Sequence, residues 1–119
     1  MAVFANLYID QGTTFTSTVT VEDANDNLVN ITNYTTRGQI RKAYSSTTAT
    51  NFTTTITDAT NGAFTIELSR TLTGAFSAGR YVYDVEVISP TGVVTRVVEG
   101  QVTVNARVTQ PDDYSPGYG

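Results

Sequence analysis

The 119-residue sequence contains no cysteine and no histidine. The first absence removes disulfide frameworks and thiol centres. The second removes the histidine general base, the histidine pH switch and histidine-ligated zinc. Basic residues are few, seven lysines and arginines against eleven carboxylates, for a formal charge of -4. That balance argues against non-specific binding to a phosphate backbone. No run is long and apolar enough to cross a bilayer as a helix, and the opening residues lack a basic stretch followed by an apolar one, so neither a membrane span nor a secretory leader is expected. Serine triads lack their usual base, and no glycine-rich phosphate loop follows a strand and opens a helix.

What the chain does have is alternation. In residues 79–104, Tyr81, Tyr83, Val85 and Val87 alternate with Arg80, Val82, Asp84 and Glu86, the two-residue period of a strand with one face in a core. Ser89-Pro90-Thr91-Gly92 supplies a reversal. The return run keeps Val94, Val98, Val102 and Val104 on one parity, interrupted by Arg96 and Gly100, and a bulge or bend is expected at Glu99-Gly100. A hairpin of this length cannot bury its apolar face alone, so other strands must form an opposing layer.

Those strands are legible from the start of the chain. Val3, Ala5, Leu7 and Ile9 form an opening strand, closed at Gln11-Gly12. Phe15, Ser17, Val19 and Val21 form a second, and a polar turn at 23–27 leads to a short strand at 28–31. Residues 36–44 and 51–57 follow; Asn61-Gly62 predicts a hairpin turn of primed type before Phe64, Ile66 and Leu68. Leu72 and Phe76, four apart, predict one helical turn within 71–78, ended by Gly79. Seven or eight short strands with regular turn signals predict an all-β, two-sheet antiparallel sandwich over residues 1–108, with a small closed barrel as the other solution. Residues 109–119, rich in proline, glycine and tyrosine, predict an extended tail.

Candidate chemistry is sparse. Asp84 and Glu86 share one strand face, a geometry open to a carboxylate pair but more simply a solvated or arginine-paired surface. Glu22-Asp23 and Asp112-Asp113 are the other acidic neighbours. Asp23, Asn25, Asp26 and Asn27 have the oxygen donors of a calcium loop without its spacing, and an Asx turn explains them more cheaply. Asn-x-Ser/Thr triplets begin at Asn30, Asn33 and Asn51 and are expected by chance in so threonine-rich a chain. Lys42, the only lysine, is the one candidate for an internal amide crosslink. No cofactor and no metal are expected.

The stretch TNYTTRGQIRKAYSSTTA, with LSRTLTGAFSAGRYVYDVEVISPTGVVTRVVEGQVTV after the next hairpin, resembles a family of small immunoglobulin-like domains in tailed-phage virion proteins. These include the N-terminal domain of upper-baseplate proteins and stand-alone structural proteins of cyanobacterial viruses. The resemblance spans nearly all of residues 1–108, with Asn33 where the family often has a glycine before its aromatic residue. It implies an immunoglobulin-like sandwich and a non-enzymatic structural role in the virion: a baseplate, tail, neck or capsid-associated adaptor. Its partners would be other virion proteins and copies of itself, with neither nucleic acid nor membrane. The other reading is a receptor- or carbohydrate-binding module using Tyr8, Tyr44, Tyr114 and Tyr118 as platforms, although sheet packing or edge contacts would explain Tyr8 and Tyr44. Two further expectations concern contacts. Arg37, Arg41, Arg80 and Arg96 either lie solvated over apolar surface or pair with Asp84, Glu86 and Glu99 across strands. The tail is either a frayed end or a partner-docking arm, anchored by Tyr114 and Tyr118 with Asp112 and Asp113 meeting a basic rim.

Overall fold

The structure, a computed structural model, describes residues 3–109. Asp112, Asp113, Tyr114 and Tyr118, the residues expected to dock a partner, therefore lie outside the described residues. Nine strands and one helix follow in order: β1 (Val3–Phe4), β2 (Leu7–Asp10), β3 (Phe15–Thr20), β4 (Thr35–Arg41), β5 (Thr50–Asn51), β6 (Thr53–Asp58), β7 (Ala63–Leu68), α1 (Arg70–Ala75), β8 (Gly79–Ile88) and β9 (Val94–Asn105). The larger sheet runs β1-β9-β8-β4-β5, with β2 also on β9; the smaller runs β3-β7-β6. The all-β sandwich is the fold found.

The alternation read from the sequence builds its core. Tyr81, Tyr83, Val85 and Val87 are buried along β8, and Phe64, Ile66 and Leu68 along β7, the middle strand of the smaller sheet. Ile9, Ile40, Val102 and Val104 complete the opposing layer. One side of the sandwich is closed by the chain itself, which leaves the larger sheet at β5 and enters the smaller at β6, carrying Phe52 between them. There the Phe52 ring meets Tyr83 edge-on at 6.2 Å, and the Thr36 and Thr54 hydroxyls hydrogen-bond at 2.8 Å. The immunoglobulin-like signature is at the entry to β8. The Tyr81 hydroxyl donates to the Ser77 carbonyl four residues upstream, at 2.8 Å, a tyrosine corner.

Several local expectations change. β1 and β2 pair parallel to β9, so the larger sheet is mixed rather than wholly antiparallel. The opening run is two short strands because the chain crosses over Gly100 at Ala5, where a side chain at position 100 would strike the Ala5 carbonyl. That close approach, not a bulge, is why glycine stands there. The bulge lies earlier in β9: Val85 pairs with Val98 and Glu86 with Arg96, leaving Val97 as the extra residue. Residues 28–31 form no strand, only a bridge between Glu22 and Leu28. The Asn61-Gly62 turn is not primed, since Gly62 alone has positive φ, 73°, and its amide donates to the Ala59 carbonyl. The helix is capped by the Ser69 hydroxyl and ends at Phe76, before Gly79. Its anchor is Thr73, fully buried and donating to the Thr13 carbonyl at 2.7 Å, while Leu72 stays 39% exposed. Asn33 has φ 66°, a left-handed conformation that asparagine tolerates better than most residues.

Tyr83 ties the crossing to the core. Its ring pairs with Gly100 across the sheet, and its hydroxyl donates to the Ala5 carbonyl at 2.7 Å. Burial pushes its pKa up to about 12. A phenol that ionises less readily folded than unfolded lends stability that is complete below pH 10 and is lost as pH rises towards 12. Replacing Tyr83 with phenylalanine is expected to cost about 0.5–1.5 kcal/mol at neutral pH. It should also flatten the fall of the urea midpoint between pH 10 and 12; an unchanged slope would show that another group governs alkaline unfolding.

Candidate functional site

The outer face of the larger sheet carries the densest set of charged groups. Because side chains alternate along each strand, burying Tyr83, Val85 and Val87 sends Val82, Asp84 and Glu86 outward. Register places Arg37 beside Glu86, Gln39 beside Asp84 and Arg41 beside Val82 from β4. From β9 it places Arg96 beside Glu86, Glu99 beside Asp84 and Gln101 beside Val82. Spacing alone would put Arg96 and Glu99 on opposite faces; the extra residue at Val97 puts both on this one. The Val97-Val98 doublet, both buried, was the sequence signal for that bulge.

The result is a ladder of ion pairs. Arg37 Nε lies 2.8 Å from Glu86 Oε1, and Arg96 reaches both Asp84 Oδ2 at 3.4 Å and Glu99 Oε1 at 3.7 Å. Gln39 extends it sideways, donating to Asn51 Oδ1 and accepting from Arg41. The expected cross-strand pairing thus holds for Arg37 and Arg96. Arg41 instead bonds Gln39 and the Ser46 carbonyl, and Arg80 makes no ion pair among the described residues.

The Asp84 side chain, 40% exposed, stands between Arg96 and the carboxylates of Glu86 and Glu99. Desolvation raises its pKa above the ordinary 3.8; Arg96 opposes that, while Glu86 and Glu99 reinforce it. With the folded pKa raised, its favourable contribution is present below pH 3.8 and is lost as pH climbs through the folded value. Asp84→Asn is therefore expected to match or exceed the parent in denaturation midpoint at pH 7, with the difference shrinking towards pH 4. A clear loss at pH 7 would mean that the Arg96 contact outweighs desolvation.

The rims of this face are aromatic. Phe4 pairs beside Glu99 and Tyr8 beside Thr103, and both side chains are exposed, as is Tyr44 beyond the end of β4. The sheet-packing explanation for Tyr8 and Tyr44 does not hold, since their side chains stand 69% and 78% exposed. Phe4 was legible only as the outward parity of the opening strand. Tyr44 also lines a concavity of about 740 Å³ shared with Arg41, Asn51, Asp84 and Arg96.

The remaining candidates have structural explanations. Asp23 accepts from the Asn25 and Asn27 amides at 2.8 and 3.0 Å, the expected Asx turn, and those bonds lower its pKa. Lys42 is exposed, its Nζ bonding the Arg80 carbonyl and lying 4.7 Å from the Tyr81 ring centroid, and among the described residues no carboxylate pairs with it, contrary to what an amide crosslink needs. Asp84, Glu86 and Glu99 are adjacent on one open face, Asp84 and Glu99 held by Arg96 and Glu86 by Arg37. Acid-base cleavage of a glycosidic bond needs two carboxylates of different character facing each other across a substrate.

No family model matches the chain, and no curated protein matches it. Among solved structures, an internalin-like protein of Listeria monocytogenes aligns at 23% identity and a TM-score of 0.44 over 87% of this chain. The chain spans 28% of that protein's length. At that identity and score the likeness carries no functional inference.

Proposed function

We propose that this chain is a non-catalytic structural component of a tailed-phage virion, an adaptor or repeated outer module that works through protein-protein contacts. Its main support beyond the sequence resemblance is the outer face of the larger sheet. The carboxylates there are held against Arg37 and Arg96, and exposed Phe4, Tyr8 and Tyr44 stand at the rims. Exposed aromatic side chains are the groups that protein interfaces bury preferentially, and the charges between them supply orientation and specificity rather than affinity. The test is fractionation of particles from cells producing a tagged chain. Co-sedimentation with intact particles through a high-salt gradient is expected; a chain left wholly at the top of the gradient would overturn the reading.

A second reading has its own support. Tyr44 beside the polar concavity is a stacking platform for a sugar ring, with Asn51, Gln39 and Arg41 near enough to hydrogen-bond hydroxyls. A glycan array on the folded chain separates the two. Specific binding abolished by Tyr44→Ala favours receptor recognition; an empty array favours assembly.

A further inference from the structure

We propose that β3 is a self-association seam, along which a second copy of this chain docks by antiparallel pairing of β3 with β3. The backbone carries the case. The Val21 amide donates to the Gly62 carbonyl, one step beyond the β3–β7 ladder and in the same register, so the alternating pattern directs the amides and carbonyls of Val19, Ser17 and Phe15 towards β7. The amides and carbonyls of Thr16, Thr18 and Thr20 therefore point away from β7. Among the described residues no strand pairs with that side, and no other hydrogen bond takes those groups.

The other sheet edges are protected in ways that β3 is not. β1 and β5 are two residues each, β2 has four and ends in Asp10, and β6 has an irregular register between Ile56 and Asp58 and ends in a charge. Short strands, bulges and charges are the usual devices that keep an edge from templating another chain. β3 has six residues in regular register and contains no charge, proline or glycine. The neutral run continues back through Thr13 and Thr14, so two copies meet here without like-charge opposition despite the net charge of -4.

Self-pairing also has a register that satisfies both faces. Centred on Thr18, it sets Thr16 against Thr20 of the second copy and Thr18 against its equivalent, each a hydrogen-bonded pair. The three pairs exchange about six backbone hydrogen bonds. The threonine side chains stay on the outer face, and Ser17 opposes Val19 on the inner one. Beside that edge the sandwich is open, with a slot of about 180 Å³ lined by Val3, Leu7, Val19 and Val97, which the second copy's β3 would cover. Two three-stranded sheets thereby become one six-stranded sheet. This surface is separate from the rim aromatics of the larger sheet, and it gives the assembly reading a contact between like copies.

The test uses the isolated chain, so that its failure leaves particle incorporation to be decided separately. Sedimentation velocity over a concentration series to roughly 1 mM, the weak end of specific association, is expected to show a monomer–dimer equilibrium. Amide exchange at Thr16, Thr18 and Thr20 should slow by tenfold or more as the dimer fills. Thr18→Lys places like charges opposite each other at the centre and should leave a folded monomer, whereas Thr57→Lys, the same change on β6, should still dimerise. Thr18→Pro, whose lost amide is one that β7 does not use, provides a second disruption should the lysine variant fail to fold. A parent that stays monomeric throughout the series, a dimer that survives Thr18→Lys, or exchange at the three threonines that ignores concentration would each overturn the proposal.

Discussion

Replacing Phe64 with alanine is expected to lower stability by about 3–5 kcal/mol, enough to leave a domain of ordinary stability partly unfolded at 37 °C. Phe64 is fully buried at the middle of the smaller sheet, paired with Val19 on one side and Ile56 on the other. Its ring faces a larger sheet whose inward residues are mostly valines and isoleucines, side chains with little freedom to collapse into the space left behind. The cavity cost then adds to the lost transfer energy. At roughly 4 °C per kcal/mol for a domain of this size, the thermal midpoint should fall by more than ~10 °C. Phe64→Leu, which keeps most of the volume, should recover over half of the loss. A drop of less than ~1.5 kcal/mol for the alanine variant would mean that the two sheets can close over the gap, and that the core is less fixed than its burial indicates.

Gly100→Ala is the second large effect, and it acts through the backbone. Position 100 faces the core side of β9, opposite the Tyr83 ring, where an added Cβ would collide with the Ala5 carbonyl oxygen and lie 2.8 Å from its carbon. Relief requires the crossing between β1 and β2 to lift. Lifting it would break the Ala5 amide bond to the Glu99 carbonyl, the Tyr83 hydroxyl bond to Ala5 and the Gln101 amide bond to Asn6 Oδ1. The expected cost is about 3 kcal/mol, from overpacking together with lost hydrogen bonds. The damage should be local first. Amide exchange should rise at residues 3–7 well before β6 or β7 is affected, because the smaller sheet does not contact the crossing through its ladder. Tyr83→Phe in the Gly100→Ala background should then cost almost nothing more, as its partner has already gone. Uniform loss of protection across both sheets would contradict this account of the N-terminal strands.

The sequence was most readable where a single period ran uninterrupted. β8 alternates for ten residues, and its inward set is the one its pattern names. The same holds for Phe64, Ile66 and Leu68 in β7. It misled where one residue altered the count. Val97 switches the parity of β9, so Arg96, which shares parity with buried valines, joins Asp84 and Glu99 on the outer face. Parallel pairing of β1 and β2 with β9 was not legible either, because alternation fixes which residues face inward and says nothing of strand direction. Gly100 was noticed, but its cause is a contact from ninety-five residues away, invisible to any local window. The candidate site divides the same way. The β8 half of the charge ladder could be named from the chain, its β9 half depended on the bulge, and the exposed rim aromatics on the sandwich being built. The outer edge of β3 was legible only as a strand without charge; that it has no partner among the described residues is a property of topology.

The assembly reading is tested most directly by a map, at side-chain resolution, of purified particles from cells that make this chain. The account predicts the sandwich at symmetry-related positions, with a neighbouring virion protein seated on the outer face between Phe4, Tyr8 and Tyr44, or with like copies joined along β3. Particles complete without the chain, in cells where it is abundant and folded, would contradict it.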